Sequence, residues 1–90
     1  MLKNLEDLIS LARERKKNPK DNSYTNKLLN NTTLSKSKVL EEINELIEAI
    51  EKDSNKIHEA ADVFYHLLIY LEANNIKIEE VMEELGKRKK

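Results

Sequence analysis

The chain contains no cysteine, and one glycine and one proline are all that punctuate its 90 residues. Without cysteine there is no disulfide, no thiolate nucleophile and no Cys-ligated zinc or iron–sulfur centre. One glycine builds neither a Walker-type phosphate loop nor a G-x-G-x-x-G turn, so any phosphate chemistry must be held by other means. Aromatic residues are also scarce, with three Tyr, one Phe and no Trp. Long apolar runs are missing as well. The longest, Val63 to Leu71, is interrupted by His66 and falls far short of the ~20 residues a membrane-crossing helix needs. Glu6 and Asp7 stand where a signal peptide would have its apolar core. These absences lead to the expectation of a soluble cytoplasmic protein.

What the chain has in abundance is charge. Lys and Arg number 16 against 17 Asp and Glu, so 37% of residues are charged and the formal net charge is −1. That balance gives no overall reason to expect nucleic acid or an anionic membrane as partner. The total conceals a segregation: residues 1–40 hold nine basic and four acidic groups, residues 41–84 three basic and thirteen acidic, and residues 87–90 are all basic. The length allows one domain, residues 1–90, which buries only roughly 60–65% of its unfolded surface. With 39% hydrophobic residues, such a chain is expected to complete its core by pairing with a second copy.

Few Gly and Pro among many Glu, Lys and Leu predict an all-α antiparallel bundle of four to five helices. Leu2, Leu5, Leu8, Ile9 and Ala12 recur at helical spacing, and that first helix is expected to reach about Lys17, short of Pro19. Ser23 is placed to cap a short helix bearing Tyr24, Leu28 and Leu29. Asn30 to Thr33 reads as a loop, and a long helix is expected from near Ser35 to near Asp53, with Val39, Ile43, Leu46, Ile47 and Ile50 as its stripe. The next helix, from near Ser54 to Asn74-Asn75, is apolar over most of its circumference and so is expected at the centre. A last helix carries Ile78, Val81, Met82 and Leu85 and is expected to end at Gly86, with residues 87–90 fraying.

The chemistry of interest lies in the acidic half. At about 100° per residue, Glu42 and Glu45 flank the apolar seam of the long helix, while Glu41 points further out. On the next helix Glu59, Asp62 and His66 fall within about 60° of one another. A short turn makes the two helices antiparallel, so Glu42 and Glu45 can face Glu59 and Asp62. A carboxylate pair about 4 Å apart repels by roughly 4 kcal/mol at an effective dielectric of about 20, so either some are protonated or a cation lies between them. All-oxygen ligation from paired helices suits Mg²⁺, with Mn²⁺ as the alternative, rather than zinc. The plain reading of the same pattern is a solvated acidic face. His66 reads as a hydrogen-bonding group behind the ligands or at the core edge. Lys38, one turn before Glu42, either reaches a phosphate or pairs with Glu42. Ser23, Tyr24 and Thr25 either line a nucleotide site or serve as an N-cap with an aromatic core anchor. Arg15, Lys27 and residues 87–90 are further basic candidates.

Glu41-Glu42-x-x-Glu45 followed by Glu59-x-x-Asp62 resembles the signature of the all-α, MazG-like nucleoside triphosphate pyrophosphohydrolases. Within them the similarity is greatest to the phosphoribosyl-ATP pyrophosphatases of histidine biosynthesis. It is carried by Glu14-Arg15-Lys16 before Pro19, Ser23-Tyr24-Thr25 with Leu28, Lys38 ahead of Glu41-Glu42, and Glu59 to Leu68, which reads Glu-Ala-Ala-Asp-Val-Phe-Tyr-His-Leu-Leu. Departures are Leu40 where many members have Gly, Asn30-Asn31 where a loop glycine is common, and Lys77 where a small polar cap often opens the last helix. The resemblance implies Mg²⁺-dependent hydrolysis of the α–β phosphoanhydride of phosphoribosyl-ATP, giving phosphoribosyl-AMP and pyrophosphate, by a homodimer or larger assembly. It implies Glu42, Glu45, Glu59 and Asp62 as metal ligands, with Glu41 assisting. Two other readings stand beside it: a house-cleaning pyrophosphohydrolase of other nucleoside triphosphates, and a non-catalytic helical dimerisation module.

Overall fold

The computed structural model describes residues 2–89, and within them the elements are all helical: α1 (Lys3–Lys17), α2 (Tyr24–Asn30), α3 (Thr32–Lys52), α4 (Lys56–Ala73) and α5 (Ile78–Lys87). The all-α class and the five-helix count agree with the sequence reading.

Helix ends follow local chemistry, and two differ from expectation. The Asn30–Thr33 loop shrinks to one residue between helices, because the Asn31 side chain accepts a hydrogen bond from the Leu34 amide at 3.0 Å and caps α3 three residues early. Gly86 does not stop α5, which continues to Lys87; the residue lies in open space where neither packing nor a left-handed backbone calls for a glycine. Lys90, part of the expected frayed tail, lies outside the described residues. Helix α4 opens at Lys56 rather than Ser54, since Asp53 and Asn55 both adopt left-handed backbone and the Ser54 amide folds back onto the Ala49 carbonyl at 3.0 Å. That turn joins α3 and α4 as an antiparallel hairpin.

Helix α4 packs against each of the other four and is the central element. Ala12 of α1, Leu28 and Leu29 of α2 and Ile69 of α4 form the core, with Leu8, Tyr65 and Ala73 packed around it. Helix α3 covers the other side of α4 with Ser35, Val39, Glu42 and Ala49 buried. The expected apolar stripes are only half used. On α3, Val39 is buried and Leu46 half-buried, but Ile43, Ile47 and Ile50 of the expected stripe are exposed, as is Leu40 outside it. On α4, Val63, Leu68 and Ile69 are buried, whereas Ile57 is 87% and Phe64 60% exposed. The three remaining helices, α1, α2 and α5, have too little surface to enclose two apolar helices from all sides.

Candidate functional site

The hairpin brings the acidic residues together. Glu42 comes from the middle of α3 on its inward face, and only 6% of it is exposed. Glu45 is one turn further along, close enough to both Glu42 and Glu59 for a carboxylate–carboxylate hydrogen bond that one shared proton would make. The charge of Asp62 acts on both Glu42 and Glu59. Burial first, then the charge of Glu45, holds the Glu42 carboxyl above the ordinary carboxylate range. Loss of solvent and the same Glu45 charge raise Glu59 as well.

A divalent ion fits this arrangement on its own geometry. The ligand atoms of Glu41, Glu42 and Glu45 lie within 4.8 Å of one another, as do those of His58, Glu59 and Asp62. One oxygen each of Glu42 and Glu59 is buried without a hydrogen-bond partner. Unpaired buried carboxylate oxygens of like charge are costly; a proton relieves that cost, and so does a hard cation, whose chemistry these oxygens fit. A cavity of about 220 Å³ opens beside Glu45 and Glu59 at the turn of the hairpin, with Lys52 and Asn55 on its wall.

Helix α2 frames the cluster from the other side. The Tyr24 hydroxyl lies 2.9 Å from His66 Nε2, and His66 Nδ1 lies 2.8 Å from the Asp62 carbonyl oxygen. A carbonyl only accepts, so Nδ1 carries the proton and the tyrosine donates to Nε2. His66 thus has both nitrogens engaged, one with Tyr24 and the other with the Asp62 backbone. Tyr24 and Tyr65 stack with centroids 6.3 Å apart, His66 meets each ring edge-on, and Thr25 Oγ1 reaches the Tyr65 hydroxyl at 2.5 Å. Burial raises the Tyr24 hydroxyl's pKa, opposed by the positive charge of Lys38, which places that ammonium beside the ring.

The basic candidates divide. Lys38 is brought to the site, but it donates to Glu41 at 3.1 Å rather than to Glu42, because Glu42 turns inward and Glu41 outward. Its hydrogen bond to Glu41 raises its pKa and keeps it protonated. Arg15 donates to the Ser23 hydroxyl at 2.8 Å, and that oxygen also caps α2 by accepting from the Asn26 amide. Ser23 and Arg15 therefore build the start of α2. Lys27 is exposed on α2 and forms no side-chain hydrogen bond among the described residues. Residues 88–89 follow α5, away from the α3–α4 hairpin in the chain order.

Two participants escape sequence reasoning. Buried Asn26 ties the α1–α2 connection together, donating to the Arg15 carbonyl and accepting from the Lys20 amide, and nothing in its local pattern signals that. His58 lies 3.4 Å from Asp62, and here a signal exists: the i,i+4 spacing on the first turns of α4.

Known proteins agree on what the chain is similar to. Residues 3–89 match the family described as phosphoribosyl-ATP pyrophosphohydrolase. The phosphoribosyl-ATP pyrophosphatase of Clostridium acetobutylicum is 44% identical over 89 residues, covering 93% of this chain and 79% of that protein. The enzyme of the same name from Clostridium novyi is 40% identical over 91 residues, covering 96% and 81%. The histidine biosynthesis bifunctional protein of Pyrococcus furiosus is 40% identical over 93 residues, covering the whole of this chain and 42% of that protein. No solved structure matches the chain.

Proposed function

The chain belongs to the phosphoribosyl-ATP pyrophosphohydrolase family, and from that premise we propose that it hydrolyses the α–β phosphoanhydride of phosphoribosyl-ATP with Mg²⁺, or Mn²⁺ in its place. The products are phosphoribosyl-AMP and pyrophosphate, the second step of histidine biosynthesis. Membership of a hydrolase family sets the non-catalytic scaffold aside.

The observation that carries the proposal is the buried, unpartnered Glu42 oxygen in a cluster with Glu45, Glu59 and Asp62. Those four side chains would hold the ion, and Glu41, tied to Lys38, would assist from outside. When bound, the ion neutralises the phosphates and makes a water more acidic. The chain's own groups do the rest. A carboxylate of the cluster takes a proton from the attacking water, whose oxygen bonds to a phosphorus of the anhydride as the bridging P–O bond breaks. Lys38 offers its ammonium to a phosphate at the rim, which an acidic cleft otherwise repels. Tyr24, held by His66, forms the nucleotide-facing wall, with Thr25 buried behind it against Tyr65 and Ser23, Arg15 and Lys27 at its edge. The exposed apolar residues of α3 and α4 support a homodimer through that hairpin.

Purified protein given phosphoribosyl-ATP with Mg²⁺ is expected to release pyrophosphate and phosphoribosyl-AMP, followed by ³¹P NMR, and to stop when EDTA is added. Release of single phosphates, or turnover indifferent to EDTA, would sink the proposal. Faster turnover of dCTP or dUTP would move the substrate to the house-cleaning class.

A further inference from the structure

We propose that His58 places a nitrogen donor on the outer side of the metal-binding carboxylates, making this site prefer Mn²⁺ and similar transition ions to Mg²⁺. The inference rests on the reading that Glu42, Glu45, Glu59 and Asp62 hold a divalent ion.

His58 sits on the first turn of α4, one residue before Glu59 and four before Asp62. Its Nε2 is 3.4 Å from Asp62 Oδ2, and one ring nitrogen lies within 4.8 Å of ligand oxygens of both Glu59 and Asp62. Donors that share one ion at about 2.1 Å sit no more than roughly 4.2 Å apart, and the 3.4 Å between His58 Nε2 and Asp62 Oδ2 lies within that span. The cluster also has an unmet demand that a surface ion pair would not leave: Glu59 and Glu42 each bury an oxygen without a partner, and Glu42 is more than nine-tenths buried. The chain's other histidine is committed elsewhere, since both nitrogens of His66 are hydrogen-bonded. Of the two histidines, His58 is therefore the one with a ring nitrogen to offer.

The consequence for ion choice follows from donor chemistry. Mg²⁺ demands near-ideal octahedral oxygen ligation and gains little from imidazole. Mn²⁺ accepts carboxylates and water equally well, and imidazole donation favours the transition series over Mg²⁺. A neutral imidazole beside three or four carboxylates also adds a ligand without adding repulsion.

The full chain loaded with Mn²⁺ tests this by pulsed EPR, which detects a coordinated ¹⁴N directly. The wild-type protein is expected to show ¹⁴N modulation, and His58→Gln to lose it while still binding Mn²⁺. Competition titrations are expected to show the Mn²⁺ affinity of His58→Gln falling roughly tenfold, with Mg²⁺ affinity changed less than about twofold. Mn²⁺ binding without nitrogen coupling in the wild type, or coupling that persists in His58→Gln, overturns the role of His58 alone. Failure of the wild type to bind Mn²⁺ overturns both this inference and the metal-site reading beneath it.

Discussion

Glu42 shows how much a single side chain is asked to bear. Burial and the charge of Glu45 hold its carboxyl above the ordinary range, so the folded protein binds a proton there at a pH where the unfolded chain has released it. Metal-free protein therefore gains stability as pH falls through that raised value, and the gain is complete below the unfolded value of about 4.3. Replacing Glu42 by Gln removes the buried charge. It is expected to raise the metal-free melting temperature at neutral pH by about 4–8 °C, equivalent to about 1 kcal/mol, and to flatten the rise on acidification. If Glu42 holds the proposed ion, the same substitution is also expected to abolish any increase in melting temperature on addition of Mg²⁺. Thermal melts in EDTA and in Mg²⁺ across this pH range check both; a lower melting temperature for the variant in EDTA would contradict the assigned repulsion. At the same scale, the scarcity of glycine finds its resolution. The positive-φ positions among the described residues, Asn22, Asp53, Asn55 and Asn75, are all Asn or Asp, the non-glycine residues that enter left-handed backbone most readily.

Among the elements, α5 is the one with no buried residue. Its attachment depends on Arg13 of α1, which donates through Nε to Glu72 of α4 at 2.9 Å and forks onto both oxygens of Glu79 at 2.8 and 2.5 Å. Lys16 adds a bond to the Glu72 carbonyl at 2.8 Å. Arg13→Ala leaves buried Glu72 with only Lys16 at 3.7 Å, and is expected to cost about 1–3 kcal/mol. Hydrogen exchange is expected to speed up across α5 while the amides of α3 stay protected; equal loss in both helices would deny α5 its separate anchorage. Acid acts on the same joint. The hydrogen bonds from Arg13 hold the Glu79 carboxyl down to about 2, so this contribution is complete above about pH 4.3 and disappears as pH falls toward 2. That window lies below the one in which Glu42 takes up its proton.

At the scale of the whole molecule, the radius of gyration of 14.1 Å exceeds the roughly 12 Å expected of a compact chain this long, and the shape is flattened, at 39 × 37 × 25 Å. Leu40, Ile43, Ile47 and Ile50 of α3 lie within an arc of about 80°, and so do Ile57, Phe64 and Leu67 of α4. These arcs are the faces proposed to meet in a dimer. Ile47→Glu and Phe64→Glu substitute residues already exposed, so each is expected to retain helical circular dichroism while sedimentation equilibrium shows a shift from dimer to monomer. A monomeric wild-type protein would remove the proposed assembly.

Periodicity, capping side chains and the i,i+3 spacing of acids are short-range properties. They made the five helices, the central place of α4 and the convergence of Glu42, Glu45, Glu59 and Asp62 legible in the sequence. What lies far apart along the chain was not legible. Tyr24 meets His66 across 42 residues, and Arg13 meets Glu72 and Glu79 across 59 and 66. Partner choice between adjacent carboxylates also escaped it: Lys38 takes Glu41 because Glu42 is turned into the hairpin. The sequence alone determined that apolar and acidic stripes exist on α3 and α4. Only the tertiary structure decided which part of each stripe is buried, because that depends on how much surface the other helices have to cover it.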